Sequence, residues 1–335
     1  MLGRILVFVI SLVIVAAALI AAGFFALRKP DIPFETLAAR YETAQSRYVD
    51  LPDGTHMHYQ VAGVETGPVL ILLHGYTASS HTWAQWMQQL GDTYRIYAPD
   101  LPGHGLTQTP EDYQASIDAL RDDVDAFASA LNLSNFALAG NSMGGYVAWE
   151  YALAHPDKVD ALILIDAAGW PLPQAEETPA VMQLLQKPAL RRFVVQLDVA
   201  PMIKRGIPAC FADPSLATDE MLTRYIELGL APGHRAISFQ LLDDVSAREG
   251  ATPERLAAIS APTLVMHGAA DAIVPLQFSE AFHDAIPNSR LIVFENVGHM
   301  PQEEASEASA EALDQFLTTA LEGDVLVTTP TAAAQ

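Results

Sequence analysis

Residues 136–145 read Phe-Ala-Leu-Ala-Gly-Asn-Ser-Met-Gly-Gly. The apolar run at 136–139 predicts a buried strand, and a helix is predicted to follow at 143–154. The turn between them carries Gly-x-Ser-x-Gly, in which small flanking residues allow a nucleophile to lie on a strained strand-to-helix turn. The helix that follows directs its N-terminal N–H groups and its dipole at the same place. This stretch therefore predicts a sheet with crossover helices and Ser142 as its nucleophile.

The same alternation of strand and helix continues on both sides of this stretch. Apolar or alternating runs predict strands at 56–62, 69–73, 94–98, 136–139, 161–165, 263–267 and 291–294. Apolar residues at helical spacing predict a helix at 115–132, and further helices are expected at 143–154, 253–259, 276–285 and 302–321. Strands alternating with helices of this length indicate an α/β fold with a mostly parallel sheet, covered by helices on both faces.

The alternation is interrupted between residues 169 and 250. This stretch contains helical segments and several prolines but no convincing strand. We therefore predict an α/β core in two parts, 50–168 and 251–322, separated by an inserted helical cap at 169–250. The segment 28–49 is interpreted as a linker, with a short helix as the alternative for residues 30–49, and the small, polar tail at 323–335 is expected to be disordered.

Two further residues are placed where a serine nucleophile needs partners. A serine hydroxyl requires a general base, and the base requires a group that orients it. Asp271 follows the predicted strand at 263–267, and His299 follows the strand at 291–294. The carboxyl ends of parallel strands meet at one edge of the sheet, so these side chains are expected to converge. Asp166, directly after the strand at 161–165, is the alternative acid.

Five motifs in this order resemble the α/β-hydrolase superfamily, in particular its capped esterase, lipase and meta-cleavage-product (C–C bond) hydrolase branches. They lie at residues 74–76, 100–105, 140–145, 268–271 and 297–299, and the similarity extends over about residues 50–321. The resemblance implies that Ser142 is the nucleophile, His299 the general base and Asp271 its orienting acid. It also implies an oxyanion hole made by the backbone N–H groups of Tyr76 and Met143.

Other polar and aromatic residues near these motifs have less certain roles. Trp83 and His104 are possible substrate contacts, although His104 can equally serve only to order its own loop. His74 is interpreted as a residue that braces the oxyanion loop, and His267 as a packed residue at a strand end. Cys210, the one cysteine of the chain, is expected to be a small apolar residue.

The reaction implied is hydrolysis of carboxylic esters of small to medium apolar substrates through an acyl-enzyme. C–C bond hydrolysis is the nearest alternative, although the oxyanion loop lacks the Gly-Pro-Gly common there and Met300 replaces an aromatic residue. Lactonase and aminopeptidase activities use the same triad, and a hydrolase-fold receptor that binds without turnover is the non-enzyme alternative. No metal or organic cofactor is expected.

Charge excludes one class of partner. The chain has 18 Lys and Arg against 40 Asp and Glu, a formal net charge of −22. Such a surface repels phosphate backbones, so nucleic acid is not an expected partner. A small-molecule ester is the expected ligand, and the residues do not indicate an oligomeric state.

The N-terminus predicts a membrane anchor. Residues 5–27 are uncharged and bracketed by Arg4 on one side and by Arg28 and Lys29 on the other. A run of this length can cross a bilayer, whereas the apolar part of a cleaved signal peptide is shorter, about 7–15 residues. We expect a single-pass protein with an extracytoplasmic catalytic domain, periplasmic in a Gram-negative cell. A cleaved signal peptide and a secreted enzyme are the alternative.

Overall fold

The computed structural model describes residues 22–171 and 188–321, together with residues 11, 12, 15, 18 and 19. The described chain contains one sheet of eight strands in the order β1-β2-β4-β3-β5-β6-β7-β8. The strands are Ser46–Asp50 (β1), His56–Gly63 (β2), Val69–Leu73 (β3), Arg95–Pro99 (β4), Phe136–Asn141 (β5), Val159–Ile165 (β6), Thr263–Gly268 (β7) and Ser289–Phe294 (β8). The β1–β2 and β2–β4 pairs are antiparallel and the other five pairs are parallel, so the predicted mostly parallel sheet is confirmed.

Helices flank the sheet and follow its strands in the expected order. Those of the core are Phe34–Tyr41 (α1), Ala84–Leu90 (α2), Ile117–Ala130 (α3), Met143–Ala154 (α4), Pro253–Leu256 (α9), Leu276–Ala285 (α10), Pro301–Glu304 (α11) and Ser306–Leu321 (α12). Between β6 and β7 the chain forms Pro188–Val194 (α5), Ala200–Gly206 (α6), Asp219–Gly229 (α7) and His234–Ala247 (α8). Short 3-10 turns occur at Ser80–Trp83, Pro208–Cys210 and Pro214–Leu216.

The core lies on both faces of the sheet, which explains why the central strands read as unbroken apolar runs. In β5, Leu138 packs with α3 and α4 on one face, whereas Ala137 and Ala139 pack with α2 and α12 on the other. Every residue of β5 is buried. A strand buried on both faces holds its carboxyl end rigidly, and this is the end from which Ser142 projects.

Two of the predicted segments differ from the structure. The segment 28–49, expected to be a linker or a short helix, contains α1 and also the edge strand β1. Leu37 of α1 is fully buried against Leu106 and Leu228. The last predicted helix, 302–321, is two helices, and Ala305 between them has φ −126° and ψ 45°, which is not helical.

The described part of the predicted cap is helical. Residues 188–250 contain α5–α8 and no strand, and one isolated bridge joins Leu197 to Arg28. Residues 172–187, which belong to the beginning of the predicted cap, lie outside the described residues.

The two predicted chain ends are mostly outside the structure. Most of residues 1–21, and so most of the predicted anchor at 5–27, lie outside the described residues, as does the predicted tail at 323–335. Among the residues that are described, no helix is long and apolar enough to cross a membrane. The structure does not support the anchor, which stays a prediction from sequence.

Candidate active site

Ser142 lies on a strained turn between β5 and α4. Its φ is 54° and its ψ −116°, a conformation that residues with a side chain rarely adopt. The turn is crowded: a Cβ on Gly140 would lie 2.2 Å from the carbonyl oxygen of Gly144, and one on Gly144 would lie 2.2 Å from that of Leu73. Glycine at both positions lets the start of α4 approach the end of β3. The strain is held by rigid neighbours, as is typical of functional turns.

His299 and Asp271 meet at the same sheet edge, on the loops that follow β8 and β7. The His299 Nδ1 atom lies 2.7 Å from Asp271 Oδ2. The other carboxylate oxygen of Asp271 accepts hydrogen bonds from the backbone N–H groups of Ile273, at 2.6 Å, and Val274, at 3.1 Å. Burial opposes ionisation of Asp271, but the His299 hydrogen bond and these N–H groups outweigh it and lower its pKa. Asp271 is thus a fixed anion bonded to His299.

Asn141 joins the nucleophile turn to the histidine loop. Its Nδ2 donates to the carbonyl oxygens of His299, at 3.0 Å, and Ile165, at 3.2 Å. On the opposite side, a Cβ on Gly75 would lie 3.3 Å from the Cβ of Ser142. The loops that carry the base and the proposed oxyanion donors therefore contact the turn of the nucleophile.

The proposed oxyanion donors have no competing partners in these loops. In the described part of the chain, no turn or loop hydrogen bond uses the backbone N–H of Tyr76 or Met143. Met143 is the first residue of α4, where N–H groups lack a partner within the helix. His74 holds the loop: its Nδ1 donates to the carbonyl of Gly75 at 2.8 Å, and its Nε2 accepts from the Leu101 N–H at 2.9 Å. This is the bracing role predicted for it.

The cap is bonded to the histidine loop by hydrogen bonds that the sequence did not indicate. The backbone N–H of His299 donates to the carbonyl of Cys210 at 2.7 Å. The Glu304 carboxylate accepts from the N–H groups of Gly298 at 2.6 Å, Asp213 at 3.0 Å and Ala212 at 3.2 Å. Glu304 therefore binds the base loop and the cap together, a role absent from the motif because the partners are backbone groups.

Cys210 contributes its backbone rather than its sulfur. Burial raises the pKa of its thiol to about 11, with a further contribution from the charge of Asp271. A thiol with this pKa stays protonated at neutral pH and is a poor nucleophile.

Asp166, the alternative acid, is fully buried but does not bond to His299. Its Oδ1 accepts from the Gly268 N–H at 3.0 Å and lies 3.3 Å from His267 Nδ1, while its Oδ2 has no partner among the described groups. Burial and then the charge of Asp271 raise its pKa well above the ordinary value. Burial and the neighbouring anion both favour the protonated form of Asp166.

These same residues form the one group of possible metal ligands found in the described chain. One ligand atom each from Asp166, His267 and Asp271 lies within 4.8 Å of the others. However, His299 already occupies Asp271, and burial together with the charge of Asp271 favours the protonated form of Asp166. The trio is therefore a poor match for a divalent cation, which prefers ionised carboxylates.

A cavity of about 240 Å³ begins beside the oxyanion loop and extends under the cap. Its walls include Tyr76 and Thr77 of that loop and aliphatic or aromatic side chains of the cap, among them Val194, Leu197, Val199, Met202, Ile203 and Phe239. Ser142 and His299 are not among its lining residues. Tyr76, whose backbone N–H is a proposed oxyanion donor, is the residue that the cavity shares with the proposed site.

The two possible substrate contacts have different surroundings. His104 lines the cavity, and its Nδ1 donates to the Pro102 carbonyl at 3.1 Å. Burial, then the neighbouring His74, lowers the pKa of His104 to about 3, so it is neutral at physiological pH. Trp83 is fully buried with Trp86 and Leu90 against α12 and does not line the cavity. Its apolar side chain serves the core, so the structure gives no support to Trp83 as a substrate contact.

One cation is present in the cavity wall, and it is already engaged. Arg235 donates to the carbonyl oxygens of Lys29, at 3.0 Å, and Leu197, at 2.8 Å, and forms an ion pair with Asp31. Its charge holds the segment before α1 against the cap and is not free for a substrate carboxylate.

The chain is similar in sequence and fold to known proteins. A family model described as alpha/beta hydrolase fold matches residues 68–306. The 2-hydroxymuconate semialdehyde hydrolase of Pseudomonas sp. (strain CF600) is 30% identical over 274 residues, which are 78% of this chain and 90% of that protein. Lipase 1 of Psychrobacter immobilis is 27% identical over 275 residues, 79% of this chain and 82% of the relative. The crystal structure of a bacterial membrane phospholipase A is 26% identical, with a TM-score of 0.73 and coverage of 94% of this chain and 99% of that one.

Proposed function

The chain belongs to the α/β-hydrolase fold family, and on that basis we propose that it is a serine hydrolase that cleaves carboxylic esters. The proposed substrates are esters of small to medium apolar groups, and the reaction passes through an acyl-enzyme on Ser142. Hydrolase chemistry is common to the family match and to the named relatives. The specificity for ester bonds is proposed beyond what the family and these relatives have in common.

In the proposed mechanism His299 acts as both base and acid. Its Nε2 takes the hydroxyl proton of Ser142 as the oxygen attacks the ester carbonyl, and the backbone N–H groups of Tyr76 and Met143 stabilise the oxyanion. His299 then donates that proton to the leaving alcohol. A water molecule, deprotonated by His299, releases the acid and restores Ser142. Asp271 stabilises the imidazolium at each step, which its lowered pKa supports.

The observation that carries the ester proposal is the apolar cavity beside Tyr76. Its volume of about 240 Å³ is below the roughly 300–1,000 Å³ of typical small-molecule pockets. Apolar walls favour a hydrocarbon chain, which gains free energy on leaving water. A short to medium acyl chain is the group that matches this volume and lining.

C–C bond hydrolysis is the second candidate because of the relative that is 30% identical. The substrate in that relative's name carries a carboxylate, which needs a cation for recognition. In the described lining, Arg235 is committed to Asp31 and to backbone carbonyls. This arrangement favours an uncharged ester over a carboxylate-bearing diketone. No observation on the described residues favours lactonase activity, aminopeptidase activity or binding without turnover. Each of these alternatives is tested by its own assay.

We further propose that residues 5–27 anchor the enzyme in a membrane, with the catalytic domain extracytoplasmic. The support is the uncharged run in the sequence and the likeness to a protein titled membrane phospholipase A over 94% of this chain. A cleaved signal peptide is the alternative. Mass spectrometry of the mature N-terminus, together with extraction by detergent or by carbonate, distinguishes an anchored chain from a processed one.

The experiment that tests the ester proposal compares substrates on one preparation. The full-length protein in detergent micelles is assayed with p-nitrophenyl esters from C2 to C16 and with 2-hydroxymuconate semialdehyde. Ser142→Ala is expected to abolish turnover, and Ser246→Ala, an exposed serine of the cap, serves as the matched control. Higher kcat/KM for the semialdehyde than for every ester would overturn the proposal in favour of C–C hydrolysis.

A further inference from the structure

Positive charge is concentrated in one short stretch of this acidic chain. Residues 187–212 contain five of its 18 Lys and Arg residues but a single acid, Asp198. The five are Lys187, Arg191, Arg192, Lys204 and Arg205. The local charge therefore has the opposite sign to the formal net charge of −22.

Most of these cations are exposed, and so are the two that precede the core. Arg28, Lys29, Arg192, Lys204 and Arg205 are all exposed. None of them takes part in an ion pair among the described residues.

Large apolar side chains are exposed between these cations. Phe193 is 42% exposed and Met202 56%, and Phe25 and Leu27 are 69% and 61% exposed. Isolated exposed apolar residues are ordinary, but a group of them among unpaired cations indicates an interaction surface.

Backbone contacts bring the two segments together. The N–H of Asp198 donates to the Leu27 carbonyl at 3.0 Å, and that of Lys29 to the Gln196 carbonyl at 2.8 Å. The rings of Phe24 and Phe193 lie 5.6 Å apart. Residues 24–29, 190–193 and 202–205 are called the basic surface below.

The basic surface adjoins the rim of the cavity. Met202 belongs to it and lines the cavity, and Leu242, 42% exposed, lines the cavity beside it. The segment 24–29 is also the continuation of the apolar run at 5–27. A ligand entering over Met202 thus passes the surface at which the apolar N-terminus reaches the folded domain.

We propose that the basic surface docks the cap on an anionic phospholipid bilayer, so that the cavity takes its ester from the membrane. Lys and Arg beside exposed aromatic and aliphatic residues form the pattern of interfacial membrane binding. The rest of the acidic chain is repelled by anionic lipid, so attraction confined to this surface also orients the domain. The membrane source of the substrate rests on the proposed ester hydrolysis, whereas the docking does not.

The test places a probe on this surface in the full-length protein. Phe193→Cys is made in a Cys210→Ser background, labelled with the environment-sensitive fluorophore NBD and reconstituted in vesicles. Phosphatidylcholine vesicles are compared with vesicles that contain phosphatidylglycerol. The expected result is a blue-shifted, brighter emission with phosphatidylglycerol, quenched by shallow brominated lipids and reversed by high salt.

Charge reversal supplies the matched comparison. Arg192→Glu, Lys204→Glu and Arg205→Glu, combined, should weaken docking on phosphatidylglycerol vesicles by about 100-fold or more and so abolish the blue shift, since each cation contributes roughly fivefold. Arg290→Glu, which reverses an exposed cation on β8, should leave the signal unchanged. All variants are checked for hydrolysis of p-nitrophenyl butyrate in solution.

Each outcome decides the proposal. An emission that is the same in both vesicle types, or that responds equally to Arg290→Glu, overturns it. A blue shift without lipid that grows with protein concentration also overturns it, because a second copy then covers the surface. If the probe docks but no variant or wild type hydrolyses esters, the proposed function fails and the docking stands.

Discussion

Asp166→Asn separates the two buried carboxyl groups by their effects on stability. In the folded protein the pKa of Asp166 is raised well above 3.8, first by burial and then by Asp271. The folded state therefore keeps a proton that the unfolded chain releases. The stability from that proton is complete below about pH 3.8 and is lost as the pH rises towards the folded pKa.

The size of this effect follows from linkage. One proton retained by the folded state lowers the free energy of unfolding by about 1.4 kcal/mol for each pH unit in that window. The asparagine side chain of the variant cannot ionise, so the variant lacks this slope. The variant should therefore become more stable relative to wild type by about this slope from pH 4 upwards, until the folded pKa is passed.

Urea unfolding of both proteins, followed by tryptophan fluorescence at half-unit steps from pH 4 to pH 8, measures the difference. Ester hydrolysis is measured in parallel. Asp166→Asn should keep kcat within about tenfold, whereas Asp271→Asn should lose about 10⁴-fold, as expected for an acid that orients the base. A stability difference that does not change with pH would refute the argument that folded Asp166 retains a proton. Equal loss of kcat in both variants would refute the assignment of Asp271 as the single orienting acid.

Three other substitutions or treatments test separate contacts. Gly144→Ala would place a Cβ 2.2 Å from the Leu73 carbonyl oxygen, so it should cost on the order of 1–3 kcal/mol of stability and most of the activity. Gly206→Ala, whose Cβ would lie in open space, should be neutral or stabilising. Equal melting temperatures of the two variants would contradict the crowding argument. Iodoacetamide at pH 7.5 should label Cys210 slowly and leave hydrolysis intact, because the pKa of the thiol is raised to about 11; rapid labelling by intact mass would count against it. Glu304→Gln should lower the free energy of unfolding by about 2 kcal/mol and reduce kcat, since three N–H groups lose a charged acceptor. Unchanged urea midpoints and rates would contradict the proposed role of Glu304 in holding the cap and the histidine loop together.

The sequence predicted the parts of the fold that have strong local signals. The strand Val69–Leu73 and the helices Met143–Ala154 and Leu276–Ala285 have the predicted bounds. Burial on both faces makes such strands uniformly apolar, and one-sided burial gives Leu276–Ala285 its period. Met143–Ala154 is buried almost throughout, and the Gly-x-Ser-x-Gly turn before it is the signal that predicts it. The edge strand Ser46–Asp50 was missed because a strand paired on one side carries mixed residues whose burial does not alternate.

The candidate site divides in the same way. Ser142, Asp271 and His299 could be predicted because each lies in a short motif with glycine next to or near it, as tight turns at a strand end require. The contact of Cys210 with His299 could not be predicted, because it joins a backbone N–H to a backbone carbonyl from distant elements. Trp83 was predicted as a possible substrate contact, but its ring lies in the core beside the short helix Ser80–Trp83.

The most direct test of the account is covalent trapping of the nucleophile. The full-length protein is treated with a fluorophosphonate, and labelling is located by intact mass and peptide mapping, with Ser142→Ala and Ser246→Ala alongside. The account predicts one adduct, on Ser142, absent from Ser142→Ala, retained in Ser246→Ala and formed in step with the loss of ester hydrolysis. Folded wild-type protein that takes up no label, or that is labelled at another serine with the same loss of activity, would contradict it.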